Sequence, residues 1–198
     1  MIKLFWCPNT RAFRIFWMLE ELGIDYEPVL VDIREEDRAP VPGFAEASPM
    51  GKVPALEDGA VSMAESAAIC LYLADRYSGG DLAPAIDDPD RGRFLYWLFF
   101  TPAVIEPAMS EKFAGAATNR VSNAWGDYDS MIATFESGLA DGPWILGERF
   151  TAADVMMGSS AVFMRLFGLP VSDPLGAYAD RCLARPAYER ATRASEQG

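Results

Sequence analysis

Every β-prone run in this chain ends before Glu65, and beyond Asp90 only helical spacing survives, so the fold must join a short mixed segment to an all-helical one. Ile2 to Trp6 is a strand-like run ended by Pro8. From Arg11 the spacing of Ile15, Leu19 and Leu22 predicts a helix that Gly23 stops. Ile24 to Val31 reads as a second strand, and the three pieces together as a βαβ unit with parallel pairing. Residues 34–47 carry charge with Pro40, Pro42 and Gly43 and predict a loop with at most one short helix. Lys52 to Leu56 and Ala60 to Met63 flank an Asp58-Gly59 pair, the signal of a hairpin, and Glu65 to Tyr77 follows as a helix. A Gly-, Pro- and Asp-rich break then precedes helical segments over roughly 91–117, 121–138, 152–167, 174–183 and 186–195. The expected division is an α/β domain at 1–79, a linker at 80–90 and an all-α domain at 91–198. Thr151 and Asp154 have the spacing of a helix-capping box, with Asp in place of the usual Glu.

Composition excludes several classes of function. Seventeen Lys and Arg stand against 29 Asp and Glu, a formal charge of -12. Both parts are acidic: 7 basic against 13 acidic residues up to Gly80, then 10 against 16. Nucleic acid and anionic membranes meet repulsion from such a surface and are not expected partners. The chain has no histidine, which removes His-based triads and His-ligated metals, and no metal is expected. Its three cysteines, Cys7, Cys70 and Cys182, are too few and too dispersed for a disulfide framework. With no apolar stretch of membrane-spanning length and no signal-peptide pattern, a cytoplasmic location is expected.

Three places carry candidate chemistry. Cys7 stands where the first strand meets the first helix, followed by Pro8, Asn9 and Thr10 and close in sequence to Arg11 and Arg14. Helix N-terminal N–H groups and neighbouring cations stabilise a thiolate at such a position. Because Thr10 occupies the place of a second cysteine, a covalent step at Cys7 needs an external thiol. Alternatively Cys7 or Thr10 donates a hydrogen bond to the sulfur of a bound thiol, and the residues alone leave both routes open. Val53-Pro54 at the start of a strand is either an ordinary edge proline or a cis bond that leaves Val53 to pair with an extended peptide. Glu65-Ser66 opens a helix, where hydroxyl and N–H groups suit a carboxylate and the glutamate an ammonium, although helix capping alone also explains Ser66.

Four segments in order carry a resemblance over nearly the whole chain: Cys7 to Arg14 with Leu19 to Glu27, Ser48 to Leu56, Glu65 to Leu73, and Phe150 to Asp154. Together they resemble the glutathione transferase superfamily, which pairs a thioredoxin-like N-terminal domain with a helical C-terminal one. The resemblance implies glutathione as co-substrate, extended along Val53 ahead of a cis Pro54. Its γ-glutamyl end would be held by Glu65 and Ser66, with Asn9 and Lys52 beside it. Cys7 and then Thr10 are the candidates for contact with its sulfur. Cys7 stands where theta-like and zeta-like members place a serine and is similar to the omega-like and glutaredoxin-like Cys-Pro motif, which implies thiol transfer through a mixed disulfide as the alternative to conjugation. A third reading is a non-catalytic binding member of the same fold. For conjugation, a small apolar electrophile would meet Tyr96, Phe100 and Met109 on the long aromatic helix. A homodimer is implied as well.

Overall fold

The computed structural model describes residues 1–35 and 37–196, which form two compact units. The first is built on a four-stranded sheet of order β2-β1-β3-β4. β1 (Ile2–Trp6) pairs in parallel with β2 (Tyr26–Leu30), Trp6 lying opposite Leu30. On its other side β1 pairs antiparallel with β3 (Ala55–Asp58), Phe5 opposite Ala55, and β4 (Val61–Ala64) completes the predicted hairpin. Leu4, Phe5 and Trp6 are all buried because both faces of the sheet are covered. Alternation sends Trp6 to α1 (Phe13–Leu22), where it meets Phe16 at 5.1 Å between ring centres. It sends Phe5 the other way, to Phe44 of the short α2 (Phe44–Ala47) at 5.6 Å. α3 (Ser66–Tyr77) packs beside α1. Pro28 is tolerated because β2 is an edge strand, where a missing N–H leaves no gap in the ladder.

α1 is buried at every position from Arg14 to Leu19, so one sheet face cannot cover it. Its outer side is closed by α9 (Pro186–Glu196), and the described residues from 184 to 196 belong to this first unit. Sequence order had grouped them with the helical domain. Tyr188 lies 4.9 Å from the rings of both Phe13 and Trp17. Glu21 accepts a two-pronged contact from Arg185 (Nε–Oε1 2.5 Å, Nη2–Oε2 2.7 Å) and a third bond from Trp17 Nε1 at 2.8 Å. Arg190 reaches Glu20 at 2.8 Å.

The second unit holds α4 (Arg91–Phe100), a π-helical turn over Thr101–Ile105, α5 (Glu106–Ala114), α6 (Tyr128–Gly138), α7 (Ala152–Leu166) and α8 (Asp173–Leu183). The helix expected over 91–117 is therefore interrupted. Pro102 and Pro107 each withdraw an N–H from the ladder, and the wider turn accommodates the loss. The helix expected from 121 starts only at Tyr128, because Asp127 caps it: Ser130 N–H donates to Asp127 Oδ1 at 2.7 Å, and Asp127 N–H to Ser130 Oγ at 3.2 Å. α7 is the centre of the unit, buried continuously from Ala152 to Val162 and packed on α4 and α8. The residues read as the start of a linker are tied down here. Ala152 N–H donates to Leu82 O at 2.8 Å, Arg91 to Pro84 O at 2.8 Å, and Arg149 to Gly80 O and Ala83 O. Among the described residues no helix is long and apolar enough to cross a membrane.

Candidate functional site

The end of β1 delivers Cys7, 2% exposed, into a turn whose shape is set by local hydrogen bonds. Thr10 Oγ1 donates to Cys7 O at 2.6 Å and accepts from Ala12 N–H at 3.3 Å. The Thr10 hydroxyl proton is thus committed to the turn. Asn9 takes the left-handed conformation (φ 56°), which asparagine tolerates better than most residues, and is exposed at the tip. α1 begins only at Phe13 and has no side-chain cap, so the helix end lies further from Cys7 than the sequence suggested. The dipole effect fades within a turn.

The cation on the sulfur is a different arginine from those expected. Arg34 Nη1 donates to Cys7 Sγ at 3.0 Å and Nη2 to Pro8 O at 2.7 Å. Two features deliver it: Val31 N–H extends the β1–β2 pairing by donating to Trp6 O at 2.8 Å, and Arg34 N–H closes a turn on Asp32 Oδ1 at 3.0 Å. The parallel register alone could have located it, since a chain leaving β2 past Trp6 must run beside Cys7. Arg14 instead is buried within α1, and its charge acts on Cys70. Burial pushes the Cys70 thiol up to about 12 against that pull, which leaves it inert.

Val53 and Pro54 are joined by a cis peptide bond just before β3, and Val53 lies outside both ladders of that strand. The approach to Val53 is held by Ser48, a residue to which the sequence assigned no role. Its buried hydroxyl accepts from Lys52 N–H at 2.9 Å and donates to Lys52 O at 2.7 Å. The Lys52 side chain points to solvent. Glu65, the residue before α3, sits at φ 72°, ψ 114°, an unfavourable conformation for a residue with a Cβ. Its side chain makes no capping bond, and among the described residues no partner is found for the Glu65 carboxylate or for the hydroxyl of the buried Ser66. Cys7, Thr10, Asn9, Lys52, Val53, Pro54, Glu65 and Ser66 therefore all belong to the first unit, on the three connections that follow β1, precede β3 and follow β4. Of the apolar candidates in the second unit, Tyr96 is half exposed, whereas Phe100 and Met109 are buried. Tyr96 rests on Phe100 at 5.5 Å and on Trp97 at 4.9 Å.

Residues 6–76 match the family described as glutathione S-transferase, N-terminal domain, and residues 114–190 match its C-terminal domain. The glutathione S-transferase hmp2 of Hypomyces subiculosus is 31% identical over 85% of this chain and 84% of its own length. The disulfide-bond oxidoreductase YfcG of Escherichia coli is 29% identical over 78% of this chain and 76% of its own. The solved structure of a sphingomonad glutathione S-transferase complexed with glutathione superposes with a TM-score of 0.81 at 30% identity, covering 99% of this chain and 100% of the other. A thioredoxin-like unit followed by a helical one is the architecture that these relatives share. The chain belongs to the glutathione S-transferase superfamily.

Proposed function

We propose that the first unit binds glutathione in extended form and that Cys7 exchanges disulfides with it. The observation that carries this reading is the commitment of the Thr10 hydroxyl to Cys7 O, which leaves the Cys7 sulfur as the group for a second sulfur to meet. Val53, outside the sheet ladders, offers its backbone to the cysteinyl part of the tripeptide. Glu65, held at a conformational cost, and Ser66 at the start of α3 suit the ammonium and carboxylate of the γ-glutamyl end. Asn9 and Lys52 flank the peptide. The name of the Escherichia coli relative, a disulfide-bond oxidoreductase, supports the same chemistry.

The second reading is conjugation, in which the glutathione thiolate attacks a small apolar electrophile. It is favoured by the names of the other relatives and by the exposed ring of Tyr96, which rests on Phe100; Met109 is buried in the same unit. Either reaction fits a cytoplasmic homodimer, and light scattering tests the dimer. Incubation with oxidised glutathione followed by intact-mass measurement tests the exchange reading. One glutathione adduct is expected on the protein and on Thr10→Val, and none on Cys7→Ser. An adduct that persists in Cys7→Ser overturns the assignment. Turnover of an activated aryl halide with no adduct on Cys7 shifts the assignment to conjugation. Absence of glutathione uptake by calorimetry removes both.

A further inference from the structure

We infer that Arg34 is the counter-ion that holds charge on the Cys7 sulfur through the exchange reaction, a role that rests on the reading of Cys7 given above. The guanidinium is placed for it. One prong donates to Sγ at 3.0 Å and the other is anchored on Pro8 O at 2.7 Å, so the cation cannot swing away without breaking a second bond. The side chain comes from a turn braced on Asp32 and is otherwise exposed, so neither the core nor a helix requires its charge. Cys7 is 2% exposed, so a thiolate there has lost most of its water, as Cys70 has, and needs a donor in place of that water; Arg34 Nη1 at 3.0 Å is such a donor.

In exchange, the Cys7 thiolate attacks one sulfur of oxidised glutathione. A new S–S bond forms and the other sulfur leaves as glutathione thiolate. In the return step a glutathione thiolate attacks the glutathionyl sulfur of the mixed disulfide, oxidised glutathione forms, and the Cys7 thiolate leaves. Electrons balance between thiol and disulfide with no other donor. Negative charge lies on Sγ at the start of the first step and at the end of the second. A cation in direct contact with Sγ stabilises Cys7 as nucleophile and as leaving group, so Arg34 acts in both directions.

The test separates this role from glutathione binding. Alkylation of Cys7 by iodoacetamide needs the thiolate and no glutathione; all three cysteines are buried, so the rate of Cys7→Ser, which keeps Cys70 and Cys182, is subtracted as the background. Circular dichroism and Tm first confirm that each variant is folded. Arg34→Met and Arg34→Gln are expected to alkylate about tenfold more slowly than the native protein, with Arg34→Lys restoring much of the rate because it keeps the charge. The thiolate absorbance assigned by difference to Cys7 should fall in Arg34→Met and return in Arg34→Lys. An unchanged or faster alkylation of folded Arg34→Met, or a lysine variant no better than methionine, overturns the inference. If alkylation follows the expected order while oxidised glutathione leaves no adduct, the counter-ion role stands and the exchange reading fails.

Discussion

Asp154 offers the sharpest test of the physical account, because opposing effects meet on one carboxylate. It is fully buried under the start of α7 and accepts from Ile145 N–H (2.9 Å) and Tyr178 OH (2.9 Å) on Oδ1, and from Thr151 N–H (2.9 Å) on Oδ2. Burial raises its pKa from 3.8 to about 6, and the four hydrogen bonds, that from Thr151 Oγ1 included, pull the other way without cancelling it. Below pH 4 the folded and unfolded chains are both protonated. As the pH rises from about 4 to about 6 the unfolded chain releases its proton first, so stability falls, and above the folded value the loss is complete. The gap between 3.8 and about 6, at about 1.4 kcal/mol per pH unit, makes that loss about 3 kcal/mol. Asp154→Asn cannot ionise. Its amide oxygen can keep the bonds from Ile145 and Tyr178, but its NH2 then faces Thr151 N–H, which costs about 1–3 kcal/mol at any pH. Urea unfolding of both proteins from pH 4 to pH 7 should show the native protein's advantage shrinking by about 3 kcal/mol. An advantage that stays level or grows with pH would refute the reasoning and show that the donors outweigh burial.

Three further outcomes follow from the geometry. Glu65→Gly should raise stability by about 1 kcal/mol by relieving the positive φ, while isothermal calorimetry records loss of glutathione affinity; a destabilised variant contradicts the strain argument. Glu21→Gln should cost about 2 kcal/mol in urea unfolding, since Arg185 and Trp17 both lose a carboxylate partner, and limited proteolysis should then cut α9 free faster. Gly138→Ala places a Cβ 2.5 Å from Trp97 Cζ2, in a buried contact between α4 and α6, and should lower stability by about 2 kcal/mol; an unchanged denaturation midpoint would mean that the indole yields freely.

Much of the first unit was legible because its signals are local. The Asp58-Gly59 turn, the alternating strands and the helix stop at Gly23 act through a few adjacent residues, and the structure contains the corresponding hairpin and βαβ unit. Thr151 and Asp154 likewise disclose their capping box through a three-residue spacing. Apolar spacing over 101–107 predicts continuous helix, yet the two prolines remove donors that only a wider turn can spare. Further along, apolar spacing places the start of α6 too early, because the reciprocal caps Asp127 and Ser130 set it at Tyr128. The candidate residues lie on the connections that carry the motifs, whereas nothing in the sequence signals the contacts of Ser48 with Lys52 or of Arg34 with Cys7. Each acts on a partner that spacing within one helix or strand does not reveal.

The amino-acid order therefore determined what depends on neighbours: which stretches become strand or helix, where they stop, and that the only cysteine at a strand end is Cys7. The tertiary structure decided what depends on residues far apart in the chain. α9 covers α1 because a helix buried all round needs a second layer, and the aromatic and ionic groups that attract it lie more than 160 positions away. Arg34 reaches the Cys7 sulfur because parallel pairing returns the chain beside β1. Side-chain chemistry is written in the sequence, but the distance over which a charge acts exists only once the backbone has folded.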